Sequence, residues 1–462
     1  MYTENSLELD TNLHIHLIGA GGVGMSGLAG VLAGRGYSVS GSDSSESATL
    51  EALRRRGVRV HVPQVTGGAG EADIVVVSTA IPRDNPELAD AEERGLPIYH
   101  RSQLLAALID GMEKVAVSGT HGKTTTTSML ATILLESGRD PLIIVGGTAV
   151  NIGANYHPGT EPLAIFEACE SDATFLRYGP CSEIVTNVEA DHLDQHGTFE
   201  AVCRAFEEFI DLVPDDGFLA YGADCPELVE MARCCAGRRI PYGLCKGGRL
   251  SADRIRARGL GVSFRLLADG EPVGEACLQV PGEHNVMNAL GAIAAASELG
   301  IGMADALSAV EQYRGVERRF EKLGDLNGAL VVDDYAHHPT EVEATLTAAR
   351  DSCPERRIVA IFQPHLYSRT RDRMDDFVEA LTHADVIVVA GIYGAREEPI
   401  EGVDARDIAE RLRDRARGHE VYYVAEREEI AGLVRQIALP EDLILTIGAG
   451  DIRRTGEELA GS

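Results

Sequence analysis

The segment Val-Ser-Gly-Thr-His-Gly-Lys-Thr-Thr-Thr at residues 117–126 restricts the fold more than any other part of the chain. A buried strand is predicted just before it, over residues 114–117, and a helix over residues 124–136. Glycines between a strand and a helix let backbone N–H groups surround a phosphate, and the helix N-terminus adds partial positive charge. Lys123 adds a full positive charge, and the Thr124 hydroxyl suits Mg²⁺. The segment predicts an ATP-binding loop, with a Gly-x-x-Gly-Lys-Thr spacing shorter than the commonest form.

The overall composition narrows the class of protein. The chain has 462 residues, which suggests about three domains. Its formal charge of −30 argues against a nucleic-acid partner, because phosphate backbones are neutralised by clustered Lys and Arg. No apolar run is long enough to span a bilayer, residues 1–12 do not resemble a signal peptide, and nine irregularly spaced cysteines suit reduced thiols. We therefore expect a cytoplasmic protein with no membrane or nucleic-acid partner.

Strands and helices are predicted to alternate near the N-terminus. A strand over residues 13–18 leads into the turn Gly19-Ala-Gly-Gly-Val-Gly24, and a helix and a second strand follow, ending at Asp43. This alternation is typical of a parallel sheet with helices on its faces. A Gly-x-Gly-x-x-Gly turn with an acidic residue after the next strand is the fingerprint of dinucleotide binding. From these residues alone, NAD, another pyrophosphate compound and a tightly packed helix all remain open.

Two further α/β units are predicted downstream. The second contains the ATP-binding loop and strands over residues 163–166 and 183–186. The third alternates strands and helices from residue 329 to residue 447 and includes one continuous helix over residues 371–381. The predicted domains are residues 1–109, 110–316 and 317–462.

Five clusters of acidic, His, Asn and Arg residues lie near predicted strand ends or helix starts, where parallel sheets bind their ligands. In chain order they are Glu167-Ala-Cys-Glu170-Ser-Asp172, Asn187-Val-Glu-Ala-Asp191-His192-Leu-Asp194, His284-Asn285-Val-Met-Asn288-Ala289, Arg318-Arg319-Phe320 and Asp333-Asp334-Tyr335-Ala336-His337-His338-Pro339-Thr340-Glu341. A single Asp-His pair is more often a solvated loop than a site. Five such clusters together with a phosphate loop indicate a catalytic site.

These motifs, in this order, closely resemble the Mur ligases of peptidoglycan synthesis. The resemblance rests on Gly-Thr-His-Gly-Lys-Thr-Thr, Asn-x-x-x-Asp-His-x-Asp, His-Asn-x-x-Asn-Ala, Arg-Arg-Phe and Asp-Asp-Tyr-x-His-His-Pro-Thr-Glu, and it covers nearly the whole chain. It implies an α/β protein with three domains: a Rossmann-like UDP-binding domain, a central P-loop ATPase domain and a Rossmann-like C-terminal domain that binds an amino acid. It also implies that the N-terminal glycine turn serves UDP rather than NAD.

The resemblance is closest to the family members that add L-alanine. It implies that ATP phosphorylates the lactyl carboxylate of UDP-N-acetylmuramate and that the amine of L-alanine attacks the acyl phosphate to form an amide. Mg²⁺ or Mn²⁺ is the implied cofactor, because cations must meet the charge that develops on the phosphoryl oxygens. We expect replacement of Lys123 by alanine to abolish ligation and to leave the fold intact.

The resemblance also implies roles for individual residues. The expected catalytic residues are Lys123, Glu167, His192, Arg319 and Asp334. The expected metal ligands are Thr124, Glu167 and His192, with Glu170 as the second candidate carboxylate. The expected ATP contacts are Gly119, Thr120, His121, Gly122, Lys123, Thr124, Thr125, His284, Asn285, Asn288, Arg319 and Asp334. The expected contacts of the UDP substrate are Gly19, Gly21, Gly22, Val23, Gly24, Ser42, Asp43, Ser78 and Thr79.

Tyr335, His337 and Arg369 are expected at the amino-acid pocket, with Arg369 paired to the alanine carboxylate. Some relatives carry Arg where this chain has Leu366. Several related ligases bridge two metal ions through a carboxylated lysine shortly after the Asp-His segment, but this chain has no lysine between Lys123 and Lys246. That bridge cannot form here, which fits the alanine-adding members.

Three alternatives differ from this interpretation. A ligase that recycles murein tripeptide shares the ATP loop but usually departs from the patterns around Tyr335 and Gln363. A nicotinamide-dependent dehydrogenase would use the N-terminal glycine turn and Asp43, but it would leave the ATP loop and the third domain unexplained. A regulatory module without catalysis is disfavoured by the density of acidic, His and Arg clusters. A monomer or a weak homodimer is expected.

Overall fold

The computed structural model describes residues 2–3, 7–171, 174–191, 193–245, 247–395, 397–415 and 418–461, without the side chains of residues 193 and 194. The chain folds into two compact units. The first comprises Met1–Asp253, Leu266–Gly274 and Met287–Tyr313, and the second comprises Arg254–Arg265, Glu275–Val286 and Arg314–Ser462. None of the described helices combines the length and the apolar character that crossing a bilayer needs.

The N-terminal sheet has five parallel strands in the order β3-β2-β1-β4-β5. Its elements are β1 His14–Ile18, α1 Val23–Gly34, β2 Ser38–Ser42, α2 Ala48–Arg55, β3 Arg59–His61, β4 Ile74–Val77, α3 Pro86–Glu93, β5 Ile98–His100 and α4 Arg101–Leu108. In β4, Ile74 and Val76 join one apolar cluster, whereas Val75 and Val77 join another. The sheet therefore has a core on both faces, as the apolar run of β4 requires.

The central sheet has ten strands in the order β15-β14-β13-β12-β11-β10-β6-β9-β7-β8. The strands are β6 Glu113–Ser118, β7 Leu142–Ala149, β8 Ala154–His157, β9 Leu163–Glu167, β10 Ser182–Val185, β11 Phe218–Gly222, β12 Arg238–Gly243, β13 Leu250–Arg258, β14 Gly261–Ala268 and β15 Glu271–Leu278. The helices are α5 Lys123–Glu136, α6 Leu193–His196, α7 Phe199–Ile210, α8 Pro226–Met231, α9 Glu283–Glu298 and α10 Met303–Val310. Because β6 pairs in parallel with β9 and β10, the carboxyl ends of these three strands lie side by side.

The C-terminal sheet has six strands in the order β16-β17-β21-β18-β19-β20, with β16 antiparallel at one edge. Its elements are β16 Glu321–Leu326, β17 Ala329–Asp334, α11 Pro339–Ser352, β18 Ile358–Phe362, α12 Tyr367–Asp372, α13 Met374–Leu381, β19 Val386–Ala390, α14 Arg406–Arg415, β20 Glu420–Val424, α15 Arg427–Ile437, β21 Leu443–Ile447 and α16 Arg453–Ala460. The single helix predicted over residues 371–381 is wrong. Arg373, at φ −122° and ψ 19°, leaves the helical region, and the new helix α13 buries Phe377 and Leu381.

Helix α1 lies directly against strand β8 within the first unit. A side chain at Gly30 would overlap the ring of Tyr156, and one at Gly34 would approach Pro158 at 2.6 Å. The Asn155 carboxamide donates hydrogen bonds to the Val23 carbonyl at 2.6 Å and to the Ser26 hydroxyl at 3.2 Å. Glycine therefore allows the N-terminal sheet and the central sheet to be joined at the helix that follows the N-terminal glycine turn.

A buried carboxylate joins α3 to the N-terminal sheet. The Glu87 side chain is fully buried and lies 3.4 Å from Nε2 of His16 and 2.5 Å from Nε2 of His61. The Ser42 hydroxyl also donates a hydrogen bond to it. Burial alone would raise the pKa of Glu87, but the hydrogen bonds from His16, Ser42 and His61 outweigh burial and lower the pKa to about 2. The ionised carboxylate therefore stabilises this part of the fold.

We predict that Glu87→Gln lowers the free energy of unfolding by about 3 kcal/mol at neutral pH, because a shift of one pKa unit corresponds to about 1.4 kcal/mol. The folded-state pKa is depressed from 4.5 to about 2, so this stability is present above pH 4.5 and is lost as pH falls toward 2. Chemical denaturation at several pH values checks it, with Glu92→Gln on the exposed side of the same helix as control. A difference that stays constant down to pH 3 would contradict the prediction.

Candidate functional site

The predicted ATP-binding loop lies between β6 and α5. Helix α5 begins at Lys123, directly after Gly122, whose φ of 82° is left-handed. A side chain at Gly122 would overlap the Asn288 carboxamide, and one at Gly119, with φ 128°, would overlap the Thr186 hydroxyl. Both positions therefore require glycine for conformation and for space. The resulting bare backbone is what close approach of phosphate oxygens needs.

Residues after β10 brace this loop. The His121 N–H donates to Oδ1 of Asn187 at 2.9 Å, and the Asn187 carboxamide donates back to the His121 carbonyl at 3.2 Å. The Glu189 N–H donates to the Thr120 hydroxyl at 2.8 Å. The first residues of the predicted Asn187 cluster therefore support the ATP-binding loop. Thr125 is buried in the first turn of α5.

Lys123 forms a buried ion pair with Glu170. Its Nζ lies 3.0 Å from Oε2 of Glu170, and the two side chains are 12% and 3% exposed. Nζ also donates to the carbonyls of Gly119 and Thr120 at 2.5 and 2.9 Å. Burial alone would lower the pKa of Lys123, but the interactions with Glu170, Cys169 and Glu167 together outweigh burial and raise the pKa. In this conformation the lysine is therefore folded back onto its own loop.

The second candidate carboxylate has a different neighbour. The Thr124 hydroxyl donates to Oε2 of Glu167 at 2.8 Å, and the Gly146 N–H donates to the same oxygen at 3.0 Å. The sequence left open which of the two acids is the metal ligand, and the structure gives them different partners. Glu167 accepts a hydrogen bond from the Thr124 hydroxyl, which is the predicted metal-binding hydroxyl, and Glu170 pairs with Lys123. Carboxylate and hydroxyl oxygens are hard ligands of the kind that Mg²⁺ prefers, so these residues fit a magnesium site.

A cavity of about 690 Å³ extends from the N-terminal glycine turn to Glu167. Eight of the residues expected to contact the UDP substrate line it: Gly19, Gly21, Gly22, Val23, Gly24, Asp43, Ser78 and Thr79. Glu167 and Gly146 line its other end. The cavity is therefore continuous from the predicted diphosphate-binding turn to the carboxylate beside Thr124.

Two of the residues expected to contact UDP form hydrogen bonds within the protein. Ser42 is fully buried, and its hydroxyl donates to Glu87 instead of pointing into the cavity. Asp43 lines the cavity, but its Oδ2 accepts the Gly21 N–H at 2.9 Å. Ser42 is therefore a structural residue in this conformation, and Asp43 braces the glycine turn. Polar residues at strand ends look alike in the sequence, which is why the prediction included both.

The predicted adenine contacts lie at the start of α9. Asn288 accepts a hydrogen bond from the Thr126 hydroxyl at 3.2 Å and is buried against the ATP loop of the first unit. Asn285 belongs to the second unit, and its carboxamide donates to the Pro281 carbonyl at 2.6 Å. His284 is exposed in the first turn of the helix.

A strained turn fixes Arg319 in the second unit. The flanking residues Arg318 and Phe320 both have positive φ values, 64° and 48°, which cost side chains other than glycine free energy. Asp334 accepts the Phe320 N–H at 2.8 Å, and the Arg318 guanidinium donates to the Gly448 carbonyl at 2.9 Å. Burial raises the pKa of Asp334 to about 6 despite the positive charge of Arg319. Asp334 therefore holds the turn that presents Arg319, whose Nη1 lies 3.7 Å from Glu341.

The three residues predicted at the amino-acid pocket all lie in the second unit. The rings of Tyr335 and His337 meet edge to face at 5.2 Å, and Nδ1 of His337 donates to the Tyr335 carbonyl at 3.0 Å. Burial lowers the pKa of His337 to about 4 despite the Glu341 carboxylate, and the positive charge of Arg369 lowers it further. Leu366, at the start of α12, has a φ of 70°. Such a residue marks a strained backbone of the kind found at ligand sites.

Sequence reasoning missed several residues at these sites. Arg101 and Gly146 line the cavity that begins at the N-terminal glycine turn, and Tyr393 stacks on His365 with ring centroids 5.9 Å apart. Gly146 lies inside a strand and Arg101 at a helix start, so neither stands in a recognisable motif. Their only signal in the sequence is residue type.

Parts of two predicted clusters, including one predicted metal ligand, fall outside the residues that the structure describes. His192 and Asp172 lie outside them, as does the side chain of Asp194. The assignment of His192 as a metal ligand stays a prediction.

Three regions of the chain match protein-family descriptions. Residues 14–112 match "Mur ligase family, catalytic domain", residues 117–296 match "Mur ligase middle domain", and residues 318–450 match "Mur ligase, glutamate ligase domain". The chain therefore belongs to the Mur ligase family. This confirms both the resemblance found in the sequence and the three-domain α/β fold class. The domain boundaries at residues 109 and 316 stay predictions.

Similar proteins narrow the class further. The chain is 41% identical to a UDP-N-acetylmuramate–L-alanine ligase of Geotalea daltonii, with 96% of this chain and 97% of the relative covered. It is 43% identical to the ligase of the same name from Rubrobacter xylanophilus, with 97% and 99% covered. A crystal structure of UDP-N-acetylmuramate-alanine ligase from Thermotoga maritima is 30% identical, with a TM-score of 0.84 over 97% of this chain and 99% of that one. A murein peptide ligase from Psychrobacter arcticus is 26% identical, with a TM-score of 0.72 over 97% and 98%.

The Lys123–Glu170 pair means that removal of the lysine should also affect the stability of the fold. We predict that Lys123→Met lowers the free energy of unfolding by about 3–5 kcal/mol, because it leaves a buried carboxylate without its cation. The expectation of an intact fold stays a prediction, to which the pair adds an expected loss of stability. Adding Glu170→Gln should restore most of the loss, which a double-mutant cycle of denaturation curves measures. A Lys123→Met variant as stable as wild type, or single-variant losses that simply add in the double variant, would show that the pair contributes nothing.

Proposed function

We propose that this chain is an ATP-dependent ligase that joins L-alanine to the lactyl carboxylate of UDP-N-acetylmuramate. The continuous cavity from the N-terminal glycine turn to Glu167 carries the proposal, because Glu167 touches the Thr124 hydroxyl of the ATP loop. A substrate with its diphosphate at the turn would place its far end beside the γ-phosphate of ATP. The names of the relatives support the same reaction.

The proposed reaction has two steps. A carboxylate oxygen of the substrate attacks the γ-phosphorus of ATP, so ADP leaves and an acyl phosphate forms. The uncharged amine of L-alanine then attacks the acyl carbon, and the tetrahedral intermediate loses phosphate and a proton to give the amide. Lys123 is proposed to turn from Glu170 to the phosphates, and Arg319 is proposed to neutralise charge on the transferred group.

The proposed metal site consists of Thr124, Glu167, Glu170 and His192. A bound Mg²⁺ would neutralise phosphoryl oxygens of ATP. Glu167 already has two donors, Thr124 and Gly146. Glu170, which is buried, would lose its Lys123 partner when the lysine moves to the phosphates. A buried carboxylate needs a cation. We therefore propose that Glu170 and the metal stabilise each other more strongly than Glu167 and the metal do.

Accordingly, Glu170→Gln should raise the Mg²⁺ concentration for half-maximal activity by about 100-fold, and Glu167→Gln should raise it less, on the scale of other preorganised charge contacts. Mg²⁺ titration of phosphate release measures this, with Mn²⁺ as a second metal. Glu93→Gln, an exposed change of the same charge, is the control. A Mg²⁺ requirement unchanged in both site variants would remove these acids from the metal site.

The amino-acid pocket is proposed to contain Tyr335, His337 and Arg369. A guanidinium can pair with the alanine carboxylate through two parallel N–H bonds that lysine cannot reproduce. The lowered pKa keeps His337 uncharged at neutral pH, so it does not repel the ammonium of the incoming amino acid. We further propose that Asn285 and Asn288 contact adenine, which is consistent with the place of Asn288 against the ATP loop.

Phosphate release from ATP should require both UDP-N-acetylmuramate and an amino acid, with L-alanine preferred. Glycine should react about 10 to 100 times more slowly, because one methyl group in a pocket contributes only about 1–3 kcal/mol. Arg369→Lys should raise the KM for alanine at least tenfold and leave the KM for ATP unchanged. Arg371→Lys, an exposed neighbour paired with Asp372, is the control. A murein tripeptide that proved the better acceptor would overturn the alanine assignment.

The alternatives have less support. The murein peptide ligase is a more distant structural match than the alanine ligase, and a nicotinamide-dependent dehydrogenase would leave the matches to the three Mur ligase domains unexplained. All nine cysteines are free, which is consistent with the proposed cytoplasmic location. The monomer or weak homodimer expected from the sequence stays a prediction.

A further inference from the structure

The cavity that extends from the N-terminal glycine turn to Glu167, called the UDP cavity below, has an unusual balance of charge for an anionic ligand. Among the described residues that line it, Asp43 and Glu167 are acidic, and Arg101 is the single basic residue. A diphosphate ester carries two negative charges and is stabilised by guanidinium groups and by helix N-termini. One side chain therefore has to supply all the formal positive charge that the cavity lining offers.

Arg101 is close to the glycine turn. A Cβ atom built on Gly24 would lie 3.5 Å from Nη1 of Arg101 and 3.9 Å from its Cζ. The guanidinium thus extends across the first turn of α1. That helix has Gly22 at its N-cap, no side-chain cap and no acidic residue in its first turn. The backbone N–H groups of the helix start and the guanidinium face the same part of the cavity.

The turn needs this added charge. One of its backbone donors, the Gly21 N–H, is already used by Oδ2 of Asp43 at 2.9 Å. The same carboxylate places a negative charge next to the turn, which would repel a diphosphate. Arg101 is the lining residue whose charge offsets this repulsion.

The position of Arg101 in its own helix supports a role in binding. It is the first residue of α4, where a cation meets the positive end of the helix dipole and is disfavoured. The helix start is nevertheless held firmly. His100 and Gln103 form a capping box, and the Gln103 carboxamide donates to the Thr3 carbonyl at 3.0 Å. Thr3 itself pairs with Ile98 of the edge strand β5.

We infer that Arg101 binds the diphosphate of the UDP substrate and that the N-terminal residues help to hold it in position. The identity of the substrate rests on the proposed function. The charge argument needs only a nucleoside diphosphate or its ester. Arg101 is thus a binding residue of the UDP cavity, and Thr3 and Gln103 are positioning residues.

The test compares Arg101→Met with wild type in binding titrations with UDP and with uridine, which lacks the phosphates. UDP affinity should fall about 10- to 100-fold, as for other hydrogen bonds to charged groups, while uridine affinity should stay within twofold. Arg101→Lys should recover part of the UDP affinity because it restores the charge. Arg55→Met, an exposed arginine on α2 in the same domain, should change neither affinity.

UDP affinity within threefold of wild type in Arg101→Met would overturn the inference. Equal weakening of UDP and uridine would also overturn it, because that result means the cavity has changed shape. The proposed function is tested separately by phosphate release. If wild type binds UDP through Arg101 but does not ligate alanine, the proposed function is wrong and the inference stands. If Arg101→Met ligates normally with an unchanged KM for UDP-N-acetylmuramate, the inference is wrong and the proposed function stands.

Discussion

A lysine ammonium taken out of water costs several kcal/mol unless an anion accompanies it, and in this chain Glu170 is that anion. The pair gives a reason for a second acidic residue just beyond Glu167, which ends β9. One compensates the charge of the loop lysine, and the other lies on the threonine hydroxyl beside it. Nucleotide binding would exchange one partner of Lys123 for another, so the lysine keeps an anion, and Glu170 would then need a different cation.

The first unit explains how the glycine turn and the ATP loop can act on one molecule. Helix α1 starts at the glycine turn, and α5 starts at the ATP loop. Asn155 and Tyr156 of β8 fix α1 against the sheet to which the ATP loop belongs. The distance between the two ends of the cavity is therefore set by side-chain contacts, and a substrate of fixed length can be matched to it.

Local signals made the ATP loop predictable. Spacing, strand and helix all point to one backbone conformation there, and β6 and α5 begin and end within a few residues of the prediction. The break at Arg373 was missed, because residues 371–381 favour helix throughout and the break depends on where the core lies. Ser42 was assigned to the ligand because the sequence does not show that Glu87 lies beneath it. Arg101 was missed because its partner, the start of α1, is far away in sequence.

The contact between Gly30 and Tyr156 has a consequence for how such chains can diverge. Every amino acid that could replace this glycine is larger, and the ring on the other side already fills the space. A larger residue at Gly30 needs a smaller one at Tyr156, so we expect the two positions to change together. A chimaera that exchanges residues 14–112 between two family members would therefore inherit half of a matched surface, unless β8 travels with it.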